Sequence, residues 1–209
     1  MRRMTDPARP LYTLGHSNHP IDAFVALLVR HRIAAVADVR SVPFSRRYPH
    51  FSRDSLRASL EARQIGYVHL GRELGGQSDD PRCYEDGQVQ YDRVACTVPF
   101  LRGMERLEQG IGKYRVAVMC AEAEPLDCHR TLLVAPAMRQ RGHQVAHILR
   151  DGGLEEHEAT MDRLLLELGM ESTGTLALRS RTELVTEAVA LRARRVAYRA
   201  KDVAAEGGS

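Results

Sequence analysis

Residues 115–120 read Arg-Val-Ala-Val-Met-Cys, a short apolar run of the kind that forms a buried strand. Four further runs of four to six residues are also bounded by turn or helix signals: Leu11–Leu14, Ala34–Val39, Tyr67–Leu70 and Val145–Leu149. Segments with helical periodicity lie between them, such as Thr131–Arg141, which ends at Gly142. This alternation predicts an α/β fold with a mostly parallel sheet of about five strands and helices on both faces.

The C-terminal part of the chain follows a different pattern. Two amphipathic or basic segments, Glu155–Leu168 and Thr182–Ala200, are predicted to be helical, with a turn at 173–175 between them and a frayed tail over 204–209. From Arg179 to Lys201 there are seven basic and two acidic residues, although the whole chain carries a net charge of only +3. We therefore predict an α/β core domain over residues 11–150 and a helical extension over 151–209 that includes a basic helix.

The composition is that of an ordinary globular protein. Of the 209 residues, 44% are hydrophobic and 27% are charged, which argues against disorder. No apolar stretch approaches the roughly 20 residues that a membrane span needs. The N-terminal residues lack the apolar segment of a secretory signal, and the four cysteines are therefore expected to be thiols. These features predict a cytoplasmic protein without a membrane partner.

Polar residues gather where the predicted strands end. His16 and Ser17 follow the first strand, Asp38 and Arg40 follow the second, and the segment Cys120–Arg130 follows the fourth. In an open parallel sheet, ligands bind beyond the carboxyl ends of the strands. These loops are therefore expected to meet at one edge and form a functional site.

The segment Cys120–Arg130 carries the residues best suited to chemistry. A thiol at a strand end, facing helix N-termini and arginines, has its thiolate stabilised and its pKa lowered, which makes Cys120 a candidate nucleophile. Glu122 is a candidate acid, base or orienting carboxylate, and His129 a candidate proton carrier. The alternative is that Cys120 is a small apolar residue that fills the sheet.

A group of residues around the second strand suggests an anionic ligand. Guanidinium groups bind phosphate or carboxylate in a bidentate manner. The predicted substrate-binding residues are His16, Ser17, Asp38, Arg40, Arg46, Arg47 and Arg130. The alternative is a solvated surface loop in which Asp38 merely pairs with Arg40.

Two other uses of these residues remain open. Cys120 and Cys128, with Glu122 and His129, offer donors that zinc or iron accepts. Their spacing matches no common Cys-x-x-Cys pair, and adjacent side chains such as Cys128 and His129 on a helix point about 100° apart. The basic C-terminal helix could instead bind nucleic acid phosphates, and residues 77–97 could form a lid over the site.

The motifs resemble those of the bacterial family called domain of unknown function 488. The resemblance is carried by Thr13-Leu-Gly-His-Ser17, Asp38-Val-Arg-Ser-Val-Pro43-Phe-Ser-Arg-Arg47, Tyr67-Val-His-Leu-Gly71, Met119-Cys-Ala-Glu122, Cys128-His-Arg130 and Arg141-Gly-His-Gln-Val-Ala-His-Ile148. It covers roughly residues 11–150 and implies a compact α/β fold with the clustered loops as the site. It supplies no reaction and no cofactor.

A second resemblance is one of layout, to rhodanese-like sulfurtransferases. Asp38-Val-Arg40 follows a strand, and a cysteine closes a later strand before a loop and a helix. This likeness implies that Cys120 takes the position of the sulfur-carrying cysteine. Glu122, Glu124 and Asp127 depart from the basic loop that such an enzyme would have, and Pro125 removes one amide donor.

The leading prediction is an enzyme that acts on a small or nucleotide-like anionic substrate through Cys120, Glu122 and His129. The sequence leaves three alternatives open: a nucleic-acid or nucleotide-binding module without turnover, a small zinc- or iron-binding protein, and rhodanese-like sulfur transfer.

Overall fold

The computed structural model describes residues 10–170 and 179–200 and is built on one six-stranded sheet. The strands are β1 (Leu11–Gly15), β2 (Ala35–Asp38), β3 (Gly66–His69), β4 (Tyr84–Glu85), β5 (Gln88–Val89), β6 (Val116–Cys120), β7 (Val145–Ile148) and β8 (Leu154–Glu156). The sheet has the order β3-β2-β6-β1-β7-β8, while β4 and β5 form a separate hairpin. Every pair in the sheet is parallel except β7 with β8. The predicted α/β class and all five predicted strands are confirmed.

Helices cover both faces of the sheet, as predicted. They are α1 (Ile21–Arg30), α2 (Arg53–Glu61), α3 (Gly71–Leu74), α4 (Tyr91–Ala95), α5 (Val98–Ile111), α6 (Ala135–Gln140), α7 (His157–Glu167) and α8 (Arg181–Val196). Three single 3-10 turns occupy Pro49–Phe51, Pro81–Cys83 and Pro125–Asp127, and a π-helical turn over Arg130–Val134 leads into α6. Within the residues given above, no helix is both long and apolar enough to cross a membrane.

The central strand β6 shows how the core is divided. Val116, Val118 and Cys120 belong to a cluster on the face that α5 covers, whereas Ala117 and Met119 belong to the cluster on the face of α1 and α2. Successive side chains of a strand point to opposite faces, so an apolar run without alternation is buried on both sides. The thiol of Cys120 is thereby fixed at the last position of a fully buried strand.

The sheet has one more strand than the sequence predicts. β8 lies antiparallel to β7 at the edge, and its residues were expected to begin the helix that in fact starts at His157. The sequence Leu154-Glu-Glu156 is too short and too polar to stand out as a strand, because only one face of an edge strand needs to be buried. The first residues of the predicted extension therefore complete the core sheet.

The basic helix ends four residues earlier than predicted. α8 stops at Val196, and the segment after it runs beside the β4–β5 hairpin, where Val89 N–H donates to Tyr198 O at 3.0 Å and Ala200 N–H donates to Gly87 O at 2.8 Å. The predicted turn at 173–175 and the predicted frayed tail lie outside the described residues. The division into a core and an extension stays a prediction, although the hairpin ties the end of the extension to the core.

Two buried histidines join the sheet to α7, and we expect acid to destabilise the fold through them. His147 Nδ1 lies 2.7 Å from Thr13 Oγ1, and His147 Nε2 lies 3.1 Å from His157 Nδ1. Burial lowers the pKa of both rings, that of His157 to about 4. An unfolded histidine titrates near pH 6.5, so this contribution to stability is complete above about pH 6.5. It is lost as the pH falls toward 4, by about 1.4 kcal/mol per pH unit for each ring.

Urea unfolding between about pH 7 and pH 5 measures this effect. The variant His157→Gln removes one of the two rings and is expected to reduce the pH dependence of the unfolding free energy, while His147 and His16, whose pKa values are also lowered by burial, maintain the rest of it. An unchanged pH dependence would show that the unfolding free energy is linked to other groups.

Candidate functional site

The carboxyl ends of β1, β2 and β6 meet at a cavity of about 390 Å³. Of the residues that the sequence predicts for the site, His16, Arg40, Cys120, Glu122 and His129 line this cavity, together with Cys128. The loops converge because β1, β2 and β6 are parallel neighbours in the sheet. The predicted location of the site is thus where the structure has its polar cavity.

Gly15 allows the loop after β6 to lie directly on the end of β1. His16 N–H donates to Cys120 O and Ser17 N–H to Ala121 O, both at 2.8 Å. A Cβ added at Gly15 would lie 1.7 Å from Glu122 O, far inside any allowed contact. Because Gly15 has no side chain, the backbone of Glu122 can pack against the end of β1. The two hydrogen bonds there position the loop that carries Cys120 and Glu122.

The variant Gly15→Ala is expected to lower the free energy of unfolding by about 1–3 kcal/mol or more, because backbone must move away from the new methyl group. Gly110→Ala is a matched control, since its added Cβ would meet only Val116 Cγ2 at 3.8 Å inside α5. The control is expected to be neutral or stabilising by up to about 1 kcal/mol. Equal unfolding midpoints in urea for the two variants would contradict this account.

Four donor groups cluster at the floor of the cavity. Cys120 Sγ lies 3.6 Å and Cys128 Sγ 3.9 Å from His129 Nδ1, and Cys128 Sγ lies 2.9 Å from Glu122 Oε2. One ligand atom from each of the four residues lies within 4.8 Å of all the others. Both cysteines and the histidine are buried, whereas Glu122 is exposed at the open side. The cluster is a compact set of two sulfurs, one nitrogen and one carboxylate.

The backbone explains why two adjacent residues share this cluster. Cys128 is extended, with φ −138° and ψ 140°, and His129 is the first residue with helical angles. The prediction that Cys128 and His129 lie on a helix, with side chains about 100° apart, is wrong. Because the helical segment starts after Cys128, the two side chains turn toward the same point.

The pKa values in the cluster correct a second expectation. Burial and a hydrogen bond with Cys128 raise the pKa of Cys120 well above its ordinary value, so the expected stabilised thiolate is not at Cys120. Burial opposes ionisation of Cys128 as well, but the hydrogen bond from Cys120 and the charges of Arg130 and His129 lower its pKa well below the ordinary value. The acidic thiol of the pair is therefore Cys128.

The negative charge of Cys128 also shifts the pKa values of Glu122 and His129. Glu122 is exposed as a residue, yet its carboxylate is turned toward Cys128, and desolvation there, together with the charge of Cys128, raises its pKa. Burial acts to lower the pKa of His129, but the charge of Cys128 outweighs it and the net shift is upward. Both groups thus hold a proton more strongly than they would in water.

Arg40 is a buried residue that lines the cavity, and an ion pair with Asp38 holds its guanidinium in place. Its Nε and Nη2 donate to the Asp38 carboxylate at 2.9 and 2.6 Å, and Tyr67 donates to the same carboxylate at 2.8 Å. Arg40 Nη1 lies 3.2 Å from His16 Nε2, and burial together with this cation lowers the pKa of His16 to about 4. His16 is therefore neutral near pH 7. Asp38, predicted to bind substrate, instead pairs with Arg40, which was the alternative for this loop, and it is absent from the cavity lining.

Three predicted anion-binding arginines lie outside the cavity lining. Arg46 and Arg47 are exposed, and Arg47 lies 5.6 Å from the centre of the Tyr48 ring. Arg130 is fully buried and donates to Glu122 O at 2.7 Å and to Ala123 O at 3.0 Å. Arg130 thus shapes the loop that carries Glu122, while Ser17 contributes backbone contacts and is also absent from the lining.

Several residues that sequence reasoning did not assign also line the cavity. They include Phe44 and Gln77, Tyr91 from the predicted lid segment, and Val196 and Tyr198 from the C-terminal segment. Burial raises the pKa of Tyr91, so its hydroxyl keeps its proton. Phe44 belongs to the predicted loop after the second strand, whereas no strand end marks Gln77, Val196 or Tyr198 in the sequence. Only the folding of the extension onto the β4–β5 hairpin brings Tyr198 to the cavity.

Comparisons with known proteins agree with the resemblance seen in the motifs. The family model for the domain of unknown function DUF488 matches residues 20–136, which include the loop after β2 and the segment Cys120–Arg130. No curated protein and no solved structure matches the chain, so the rhodanese-like layout rests on its motifs alone. Because the family model covers more than half of the sequence, the chain belongs to the DUF488 family.

Proposed function

We propose that the chain is a metalloenzyme whose zinc ion is held by Cys120, Cys128 and His129, with Glu122 at the open side of the ion. The observation that carries the proposal is the orientation of the His129 ring. His129 Nε2 lies 3.1 Å from Val39 O, and because a carbonyl oxygen only accepts, Nε2 carries the hydrogen. The lone pair of Nδ1 then faces both sulfurs, the arrangement typical of a metal-binding histidine.

The distances within the cluster suit a tetrahedral ion. With a zinc–sulfur bond of about 2.3 Å and a zinc–nitrogen bond of about 2.0–2.1 Å, a sulfur and a nitrogen on the same ion lie about 3.6 Å apart. Cys120 Sγ and Cys128 Sγ lie 3.6 and 3.9 Å from His129 Nδ1. The ion would therefore enter with little movement of the three buried side chains.

The donor set favours a catalytic over a structural zinc site. Two cysteines and one histidine with an open fourth position form one of the known catalytic zinc arrangements. Glu122 is the exposed member and faces the cavity, so water or substrate can take the fourth position. Zinc deaminases combine the same three ligands with a glutamate that transfers protons.

When bound, zinc supplies a Lewis acid that polarises a carbonyl group or acidifies water. Glu122 is placed to accept and return a proton at Oε2, which lies 2.9 Å from Cys128 Sγ at the open side of the cluster. Neutral His16 and protonated Tyr91 offer hydrogen bonds to a substrate from the cavity walls. Together these groups support hydrolytic chemistry, with water as the second reactant.

The test is the metal content of the purified protein. We expect about one zinc ion per chain after dialysis against metal-free buffer, measured by mass spectrometry of the elements. Replacement of zinc by cobalt should give the charge-transfer absorption of a thiolate-bound tetrahedral ion. Cys96→Ser is the matched control and should keep this absorption, since Cys96 is exposed and outside the cluster. A folded protein that takes up neither zinc nor cobalt would overturn the proposal.

A second candidate is nucleophilic catalysis by Cys128 without a metal. Arg130 N–H lies 3.5 Å from Cys128 Sγ and supports a thiolate there, and the sulfur lines the cavity. Alkylation followed by peptide mapping would then modify Cys128 before Cys120 in protein that is metal-free as purified. Turnover that survives chelation would favour this candidate over the zinc site.

A further inference from the structure

The mouth of the cavity carries exposed apolar side chains on two opposite segments. Val42 and Phe44, in the loop after β2, are each 63% exposed, and Tyr198 of the C-terminal segment is 41% exposed. All three line the cavity. Large apolar groups left exposed around a cavity mark a binding surface. A ligand that contacts these side chains would therefore extend from the floor of the cavity to its rim.

Arginines accompany the apolar groups on both segments. Arg46 and Arg47 follow Phe44, while Arg195 and Arg199 flank the pair Val196 and Tyr198 in sequence. All four arginines are exposed, and none forms an ion pair with an acid of residues 10–170 or 179–200. Arg199, however, donates to Gln88 Oε1 at 3.3 Å, outside the cavity lining, which leaves Arg46, Arg47 and Arg195 for a ligand. The rim thus combines aromatic rings with positive charge.

Three other arginines in or next to α8 behave differently. Arg179 pairs with Glu187 at 2.6 Å, Arg181 pairs with Glu158 at 2.8 Å, and Arg192 pairs with Asp127 at 3.2 Å. Arg194 and Arg195 of α8 form no ion pair with an acid of the described residues, and Arg195 directly precedes Val196 of the cavity lining.

The floor of the cavity has the opposite charge. Glu122 lines it, and Asp127 lies at its side beside Arg192. The two thiolates would offset the charge of a bound zinc ion, and Asp38 offsets the Arg40 cation, so the remaining Glu122 carboxylate would repel a phosphate at the floor. An anionic group therefore belongs at the rim, and a neutral, hydrogen-bonding ring belongs inside, beside His16 and Tyr91.

We propose that the site binds a nucleotide, with its base reaching from the cavity to the rings of Phe44 and Tyr198 at the mouth and its phosphate held at the rim by Arg46, Arg47 and Arg195. Aromatic side chains stack on every base, and guanidinium groups bind phosphate oxygens in pairs. A cavity of about 390 Å³ falls in the range of small-molecule sites, about 300–1,000 Å³. The inference rests on the proposed function, because it assigns a substrate class to the same cavity.

The test is a calorimetric titration of the whole chain with the four ribonucleoside 5′-monophosphates, their parent nucleosides and inorganic phosphate. At least one nucleotide should bind about tenfold or more tightly than its nucleoside and than phosphate alone. The double variant Arg46→Ala with Arg47→Ala, and separately Phe44→Ala, should each weaken this binding by about tenfold or more. Arg57→Ala and Tyr114→Ala are matched controls outside the cavity lining and should leave it unchanged.

Single-stranded RNA as a further ligand distinguishes the source of the nucleotide. Tighter binding of the strand than of any monophosphate indicates a nucleotide within a chain, and the reverse order indicates a free nucleotide. Nucleotides that bind no more tightly than nucleosides, or binding unchanged in both cavity variants, would overturn the inference.

The titrations are made on zinc-loaded and on chelated protein. Nucleotide binding by a chain that takes up no zinc when zinc is supplied would overturn the zinc proposal and leave the ligand class standing. A zinc-loaded chain that binds no nucleotide would overturn the nucleotide inference and leave the zinc proposal standing.

Discussion

Cys128→Ser, Cys120→Ser and His129→Gln are each expected to reduce bound zinc from about one ion per chain to almost none, whereas Glu122→Gln keeps the ion. The difference follows from burial and position. The two sulfurs and the ring nitrogen surround one point below the cavity surface, while the Glu122 carboxylate approaches it from the open side. An amide or water replaces an outer ligand easily, but the three buried donors leave no room for a substitute.

The same series separates metal binding from catalysis. Glu122→Gln should retain zinc but lose about 100-fold or more of any turnover, because proton transfer by a placed side chain contributes about 10²–10⁴-fold. Metal content, circular dichroism and turnover measured on each variant distinguish the two effects. Zinc lost from Glu122→Gln but kept by Cys128→Ser would contradict the assignment of the ligands.

A control is needed because a buried cysteine also packs the core. Cys83 is 2% exposed and lies outside the cluster, so Cys83→Ser has a similar packing cost without removing a donor. It should be less stable than the parent protein yet hold a full complement of zinc. Loss of zinc from Cys83→Ser as well would mean that metal retention reports only on folding.

The position of the site could be predicted from the sequence because strands and their ends have local signals. The apolar run that ends at Cys120 fixes a buried strand, and in a parallel sheet the residues after each such run reach one edge. His16, Arg40, Cys120, Glu122 and His129 were found in this way. Their meeting at one cavity needed no knowledge of side-chain geometry.

The chemistry of the cluster could not be predicted in the same way. Whether Cys128 and His129 point to one place depends on whether the helix starts before or after Cys128, and sequence patterns leave helix boundaries uncertain by several residues. The acidity of the two thiols depends on their relative burial and on their partners, Arg130 and His129. A shift of one residue at the boundary thus decides whether Cys120 stands alone or belongs to a cluster of four donor groups.

The edge strand β8 and the cavity-lining residue Tyr198 were not predicted from the sequence, for a related reason. β8 has three residues, of which only Glu155 is half-buried, so its pattern is too short and too polar to be distinguished from the start of a helix. Tyr198 reaches the cavity only because the segment after α8 lies along the β4–β5 hairpin, more than 100 positions earlier in the chain. Contacts between segments that distant in sequence leave no periodicity to detect.

Asp38→Asn is expected to destabilise the protein by about 3–5 kcal/mol, the usual cost of removing one partner of a buried ion pair. Asp38 is fully buried and accepts hydrogen bonds from Arg40 N at 3.1 Å, from the Arg40 guanidinium and from the Tyr67 hydroxyl. The amide keeps the volume of the side chain but leaves the Arg40 cation, 6% exposed, without a counter-ion. The free energy of unfolding in urea measures the loss.

The matched control is Asp54→Asn, whose carboxylate pairs with Arg53 at the surface at 3.2 Å. That substitution should change the free energy of unfolding by less than about 0.5 kcal/mol. The double variant Asp38→Asn with Arg40→Met removes the stranded cation as well and should recover part of the lost stability. If Asp38→Asn lowers the free energy of unfolding no more than Asp54→Asn does, water reaches Arg40 and its cation does not depend on Asp38 as a counter-ion.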